Sequence, residues 1–224
     1  VPEALCELFV SDYGSETEDI LAAFLEKKDT AISLNTLRPD AAKKAEELGA
    51  YPSELCEGSM LCPTFSGILE GVEAGDWFVQ DEASQICTKA LDAERGDLVL
   101  DICACPGSKS FGAAMTMQNK GKILAFDIHE NKLSLIRSGA ERLGISVIEA
   151  AVGDGKAPAE ELWGSADYVL CDAPCSGYGT ISENPDIKIF KKEGDIAALC
   201  KTQRAILDTC ARYVKKGGYL YYST

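Results

Sequence analysis

Residues 98–109 read LVLDICACPGSK, and this stretch decides the fold. Residues 98–102 form a short apolar run, which is typical of a parallel strand buried on both faces. A turn containing Pro106 and Gly107 follows, and a helix of small residues is predicted over residues 111–118. A tight strand-to-helix turn lets backbone N–H groups approach a ligand at the carboxyl edge of a sheet.

Strands and helices alternate through the rest of the chain. Further strands are predicted at 122–127, 146–150, 167–172 and 219–223. The helices between them include 130–143, which Gly144 closes, and a long helix over 196–213 that Gly217 and Gly218 end. This alternation predicts an α/β fold with a Rossmann-like, doubly wound, mostly parallel sheet of five strands.

The N-terminal third differs from this pattern. Residues 1–28 contain an amphipathic helical pattern with Ile20, Leu21, Phe24 and Leu25 on one face. Residues 29–78 predict a small α+β unit, with a strand at 31–35, a helix from 39–40 to Gly49, and a loop-rich stretch after it. We therefore expect three segments: 1–28, 29–78 and 79–224.

Composition narrows the class of protein. The chain is 46% hydrophobic and 26% charged, as in ordinary soluble globular proteins. No apolar run approaches the roughly 18 residues of a membrane span, and the N-terminus shows no signal-peptide pattern, so we expect a cytoplasmic protein that does not bind membranes. The ten cysteines include no CxxC pair and His129 is the single histidine, so we expect reduced thiols and no metal site.

The charge is unevenly distributed. A net charge of −14 argues against nucleic-acid binding at first sight. Residues 1–78 carry 16 acidic and 5 basic side chains, whereas residues 79–224 carry 20 and 17. The second part is nearly balanced and contains a local basic stretch with Lys188, Lys191 and Lys192.

Acidic residues follow three of the predicted strands. Asp127 ends the second strand 20 residues after Gly107, where nucleotide-binding α/β folds place an acid for the ribose hydroxyls. Asp154 follows the third strand, on the adenine side, and Asp172 ends the fourth. Three acids disfavour a phosphate-rich cofactor and suit a cationic one with a ribose and an aminopurine, as in S-adenosylmethionine. The predicted cofactor contacts are these acids and the loop residues Cys103, Ala104, Cys105, Pro106, Gly107, Ser108 and Lys109.

A cysteine follows the fourth strand in the segment DAPCSGYG, residues 172–179. Its position at the sheet edge would put the thiol of Cys175 next to the cofactor site. The alternative is a structural cysteine buried in a turn. The surrounding Pro, Ser and Gly residues favour an exposed loop, so Cys175 is the candidate catalytic residue.

At these residues the sequence resembles the Sun-type (NSUN-like) RNA 5-methylcytosine methyltransferases, especially the bacterial enzymes that modify 16S ribosomal RNA. Four segments carry the resemblance: VQDEAS at 79–84, CACPGSK at 103–109, DAPCSGYG at 172–179 with NPDIK at 184–188, and GGYLYYST at 217–224. It implies a class I methyltransferase domain at 79–224, a small RNA-binding unit at 29–78 and a connector from an upstream helical domain at 1–28.

The resemblance also implies the chemistry. One cysteine adds to C6 of cytosine, which makes C5 nucleophilic toward the methyl group. A second cysteine assists release of the product, and Cys175 matches it. The attacking cysteine would directly follow Thr224, so we expect a fragment with an incomplete sheet that binds S-adenosylmethionine without methylating RNA.

Three alternatives remain open on the sequence. A DNA cytosine-C5 methyltransferase also carries its nucleophile in a Pro-Cys motif. A non-catalytic RNA-binding or assembly protein could retain the fold, and a small-molecule methyltransferase would leave Cys175 unexplained.

The sequence departs from the resembled family at two places. The loop at 103–110 differs from the family's usual CAAPGGKT at Cys105, Ser108 and Ser110. Ser182 and Glu183 stand where the family often has two arginines.

Overall fold

The structure, a computed structural model, describes residues 3–26, 28–184, 186–187 and 195–224. The chain divides into two compact units. One comprises residues 1–28 and 174–203, and the other residues 29–173 and 204–224. The division into segments at 28 and 78 stays a prediction.

The larger unit contains a sheet of five parallel strands: β5 (Leu98–Asp101), β6 (Lys122–Asp127), β7 (Ile148–Val152), β8 (Ala166–Asp172) and β9 (Val214–Ser223). Their order in the sheet is β7-β6-β5-β8-β9. This confirms the predicted Rossmann-like α/β class. Helix α5 (Glu82–Ala90) precedes these strands. The helices between them include α6 (Ser108–Thr116), α7 (Leu133–Leu143) and α8 (Asp195–Tyr213), and the first residues of α8 belong to the other unit.

Both faces of this sheet are buried, as the apolar run in β5 predicts. Val99 packs in a core with residues of α6 and α7 on one face. Its neighbour Leu100 packs in a second core with Ile206 and Cys210 of α8 on the other face. Since successive side chains of a strand point to opposite faces, the helices cover the sheet on both sides.

A second, antiparallel sheet precedes it in the same unit. Its strand order is β2-β3-β1-β4, from β1 (Thr30–Leu34), β2 (Tyr51–Pro52), β3 (Ser59–Cys62) and β4 (Trp77–Val79), with helices α3 (Ala41–Glu47) and α4 (Ile68–Ala74). The prediction of a loop-rich stretch after Gly49 was wrong at β3 and α4. Glycine and proline mark the turns there, whereas packing of Met60 and Ile68 around the buried Trp77 forms the elements between them.

The smaller unit contains α1 (Glu3–Tyr13) and α2 (Thr17–Ala23). Leu5 and Phe9 of α1 form a cluster with Ile181, against which Ile20 and Phe24 pack. The apolar face predicted for residues 20–25 is only partly buried, because Leu25 is 81% exposed.

The last strand begins earlier than the sequence predicts. β9 starts at Val214, directly after α8, rather than at Tyr219. Gly217 has a φ of +85°, and the pairing with β8 shifts register between Ala166 and Tyr168. The two glycines therefore lie in an irregular part of a strand, where glycine permits a conformation other residues avoid.

Candidate functional site

The loop after β5 is held to both neighbouring strands. The N–H of Ile102 donates to the carbonyl of Leu170 in β8 at 3.0 Å, and the N–H of Ala104 donates to that of Phe126 in β6 at 2.8 Å. Gly107 then caps α6 with a φ of +112°. These bonds bring residues 103–109 to the carboxyl edge of the sheet, where parallel α/β folds bind their ligands.

Asp127 is hydrogen-bonded to this loop. Its Oδ2 accepts from the N–H of Cys105 at 3.3 Å, and its Oδ1 accepts from the N–H of His129 at 2.9 Å. His129 itself is exposed and directly precedes a 3-10 helix. The carboxylate therefore orders the loop in addition to any contact with a ligand.

Asp172 is engaged on both oxygens. The Nζ of Lys109 lies 2.7 Å from its Oδ2, and the hydroxyl of Ser223 donates to its Oδ1 at 2.6 Å. The ammonium group of Lys109 also lies 3.4 Å from Ser84 Oγ, and its side chain is only 13% exposed. A largely buried lysine with these partners is fixed in position, so Lys109 and Asp172 act as one ion pair.

Asp101 lies beneath the loop and was not among the predicted site residues. The hydroxyl of Ser110 donates to its Oδ2 at 2.6 Å, while its Oδ1 is buried without a hydrogen-bond partner in the described part of the chain. Burial raises the pKa of Asp101 to about 7, the Ser110 hydrogen bond opposes this, and the charges of Asp172 and Asp127 add to the rise. An acid that ends an apolar strand is the sequence signal that could have found it.

Asp154 lies in a turn after β7. Its Oδ1 accepts from the N–H of Lys156 at 2.9 Å. The preceding Gly153 donates its N–H to the carbonyl of Asp127 at 3.0 Å, which ties this turn to the end of β6. The described contacts join the loop to Asp127 and Asp172 directly, and they join Asp154 to it only through this backbone bond.

Cys175 lies in the smaller unit and is exposed, which agrees with the prediction of an exposed loop. The carbonyl of the adjacent Pro174 accepts a hydrogen bond from Gln203 Nε2 at 3.0 Å. The predicted basic stretch, Lys188, Lys191 and Lys192, lies outside the described residues.

Comparison with known proteins assigns the chain to a family. Residues 88–224, more than half of the chain, match the family model "16S rRNA methyltransferase RsmB/F". The chain belongs to the RsmB/F methyltransferase family. It is 37% identical to the probable ribosomal RNA small subunit methyltransferase B of Bacillus subtilis, over all of this chain and 52% of that protein. The chain thus spans about half the length of the curated relatives it matches.

Solved structures share the fold. The crystal structure of PH0851 superposes with a TM-score of 0.92 at 32% identity, covering 99% of this chain and 52% of that one. NSun6 from Pyrococcus horikoshii, crystallised with SFG, superposes with a TM-score of 0.85 at 19% identity, covering 99% of this chain and 82% of that one. At that identity the second likeness concerns the fold alone.

In the loop at 103–109 of this RsmB/F chain, two cysteine thiols have a raised pKa. Burial raises the pKa of Cys103 to about 12, and burial together with the nearby Asp127 carboxylate raises that of Cys105 to about 11. Both are therefore protonated at neutral pH and poor nucleophiles.

Ser108 stands where the family's usual loop has glycine. It is not among the residues with positive φ, so the serine causes no backbone strain.

Among the described residues of this RsmB/F chain, no helix combines the length and apolar character needed to cross a bilayer. Within the same residues no cluster of His, Cys, Asp and Glu side chains has the arrangement of a metal site.

Proposed function

We propose that this RsmB/F chain binds S-adenosylmethionine and belongs to an enzyme that methylates C5 of a cytosine in RNA, with 16S ribosomal RNA as the substrate. Its relatives are ribosomal RNA methyltransferases, which supports RNA as the class of substrate. The observation that carries the cofactor proposal is the group of carboxyls at the sheet edge, in which a buried oxygen of Asp101 lacks a partner among the described residues.

The residues at this edge fit the proposed cofactor. Asp101, Asp127 and Asp172 are electrostatic neighbours, with Lys109 as the cation among them. Such a site favours a positively charged ligand and disfavours phosphate groups.

Each predicted residue has a proposed role in holding the cofactor. The carboxylate of Asp127 would accept hydrogen bonds from the ribose hydroxyls, and Asp154 would lie on the adenine side. The loop from Cys103 to Lys109 would present backbone N–H groups. Because both oxygens of Asp172 are already engaged, its contribution would be its charge and its hold on Lys109. When bound, S-adenosylmethionine supplies a methyl group activated by its sulfonium.

Cysteine chemistry makes the cytosine ring reactive. C5 of cytosine is too electron-poor to take a methyl group directly, and addition of a thiolate to C6 makes it nucleophilic. C5 then takes the methyl group, loses its proton, and the cysteine is eliminated. We propose that Cys175 assists this release, which its exposure permits. The resemblance assigns the attack on C6 to a cysteine directly after Thr224.

The remaining assignments rest on the same resemblance. We propose that residues 79–224 belong to the methyltransferase domain, that residues 29–78 contact RNA, and that residues 1–28 connect to an upstream helical domain. We also propose action in the cytoplasm, which a ribosomal RNA substrate supports.

Calorimetric titration of this chain with S-adenosylmethionine tests the cofactor proposal. We expect saturable binding at one site, weakened in the Asp127→Ala variant. Asp208→Ala, a matched substitution of an exposed acid on α8, should bind as the wild type does. Absence of binding in the folded wild type would instead favour a non-catalytic protein that retains the fold.

A further inference from the structure

Asp101 is a buried carboxyl group with one unused oxygen. It is 1% exposed, Ser110 Oγ lies 2.6 Å from its Oδ2, and its Oδ1 has no partner in the described part of the chain. A buried carboxylate oxygen that accepts no hydrogen bond is costly. The group can avoid this cost either by holding a proton or by facing a cation.

The neighbours of Asp101 among residues 3–26, 28–184, 186–187 and 195–224 leave it without a cation of its own. From β6 and β8 the carboxyls of Asp127 and Asp172 raise the energy of its ionised form, and from α6 the ammonium of Lys109 lowers it. That ammonium is already paired with Asp172 at 2.7 Å. Within the described part of the chain, the thiols of Cys103, Cys105, Cys171 and Cys210 are also coupled electrostatically to Asp101.

We propose that cofactor binding displaces a proton from Asp101, so that a cationic cofactor binds more tightly as pH rises through neutrality. This inference rests on the proposed function, because it takes S-adenosylmethionine as the ligand. In the free protein the proton neutralises Asp101. In the complex a positive charge of the ligand replaces that proton, which passes to the buffer, so charge and atoms balance.

The pKa of Asp101, about 7, sets the pH range of the effect. Where Asp101 is protonated before binding and ionised after it, linkage predicts release of about one proton per ligand below that pKa and almost none well above it. The observed affinity should then rise about tenfold per pH unit below about 7 and level off above it.

Calorimetry in buffers of different ionisation enthalpy measures the number of protons released. S-adenosylmethionine is titrated into the wild type, Asp101→Asn and Asp208→Asn at several pH values between about 6 and 8, the window set by linkage. We expect proton release that declines with pH in the wild type and in Asp208→Asn, a matched change at an exposed site. Asp101→Asn should release only the protons that the ligand itself loses. Equal release by the wild type and Asp101→Asn would overturn the proposal.

Titration with two further ligands identifies which positive charge of S-adenosylmethionine replaces the proton. S-adenosylhomocysteine keeps the ammonium group but lacks the sulfonium charge, and adenosine lacks both. Release with both S-adenosyl compounds assigns the ammonium, and release with S-adenosylmethionine alone assigns the sulfonium; either outcome supports the proposal. Release with adenosine would refute it, because no cation is then involved.

Two further measurements cover the case in which Asp101→Asn does not fold. In Ser110→Ala the loss of a hydrogen bond that lowers the pKa of Asp101 should move the midpoint of proton release to higher pH. In the wild type near pH 6, infrared difference spectra should lose the carbonyl band of a protonated carboxyl on binding. Persistence of that band, or an unmoved midpoint, would count against Asp101. Failure of the wild type to bind S-adenosylmethionine at any pH would instead contradict the proposed function.

Discussion

Gly107, at the start of α6, is the position where a single methyl group should disturb both folding and the candidate site. Its φ of +112° is unfavourable for any residue with a side chain. A Cβ there would lie 2.6 Å from Cζ of Phe111. The Phe111 ring cannot move away easily, because it also packs closely against Gly139: a Cβ built on Gly139 would lie only 2.4 Å from Cζ of Phe111. We therefore expect Gly107→Ala to destabilise the protein.

Two contributions set the magnitude. A left-handed conformation costs about 1–2 kcal/mol for a residue with a Cβ. Overpacking of a filled core costs about 1–3 kcal/mol. Gly107→Ala should therefore lower the free energy of unfolding by about 2–5 kcal/mol. Gly96 supplies the control, since its φ is +96° and no atom lies within 4 Å of a Cβ built there.

Urea denaturation measures the free energy of unfolding of both variants, and calorimetry measures their affinity for S-adenosylmethionine. Gly96→Ala should lose only the backbone contribution and bind the cofactor normally. Gly107→Ala should lose more stability and bind more weakly, because the displaced ring moves the loop. Equal losses of stability in the two variants would show that Phe111 yields without cost, and unaltered binding by Gly107→Ala would remove this loop from the cofactor site.

Three further predictions concern the carboxyl groups. Asp127→Ala should weaken S-adenosylmethionine binding by about 1–3 kcal/mol in calorimetry, as for a lost charged hydrogen bond, and unchanged affinity would refute the assignment. Lys109→Met should lower the free energy of unfolding by about 1–3 kcal/mol in urea denaturation, because Asp172 loses its charged donor; no loss would mean that the pair contributes nothing. The pKa of Asp101 is raised in the folded protein to about 7, so between about pH 4 and pH 7 this group is ionised in the unfolded chain but still protonated in the folded one, and the free energy of unfolding falls as pH rises. Asp101→Asn should therefore gain stability over the wild type across that range, by on the order of 4 kcal/mol at most, whereas a constant difference would contradict the raised pKa.

Much of the α/β fold follows from the sequence because its signals are local. The apolar run in β5 and the glycine after α7 each determine the element to which they belong. The small antiparallel sheet was harder to predict, because β3 and α4 depend on packing around Trp77, which lies distant in sequence from β3. Propensity alone does not show such contacts.

In the candidate site, too, some residues are marked by local sequence signals and others depend on packing. Asp127 and Asp172 could be found because each ends a strand at the ligand-binding edge. The pairing of Lys109 with Asp172, and the burial of Asp101 beneath the loop, depend on how β5, β8 and α6 pack. No spacing along the chain encodes those contacts.

Methyl transfer to RNA tests the central claim most directly. The full-length protein that carries this chain is incubated with labelled S-adenosylmethionine and unmodified 16S ribosomal RNA, with DNA of the same sequence as the comparison. After digestion to nucleosides, the account predicts label in 5-methylcytidine from the RNA and none in the DNA. Label in another nucleoside, or in the DNA alone, would contradict it.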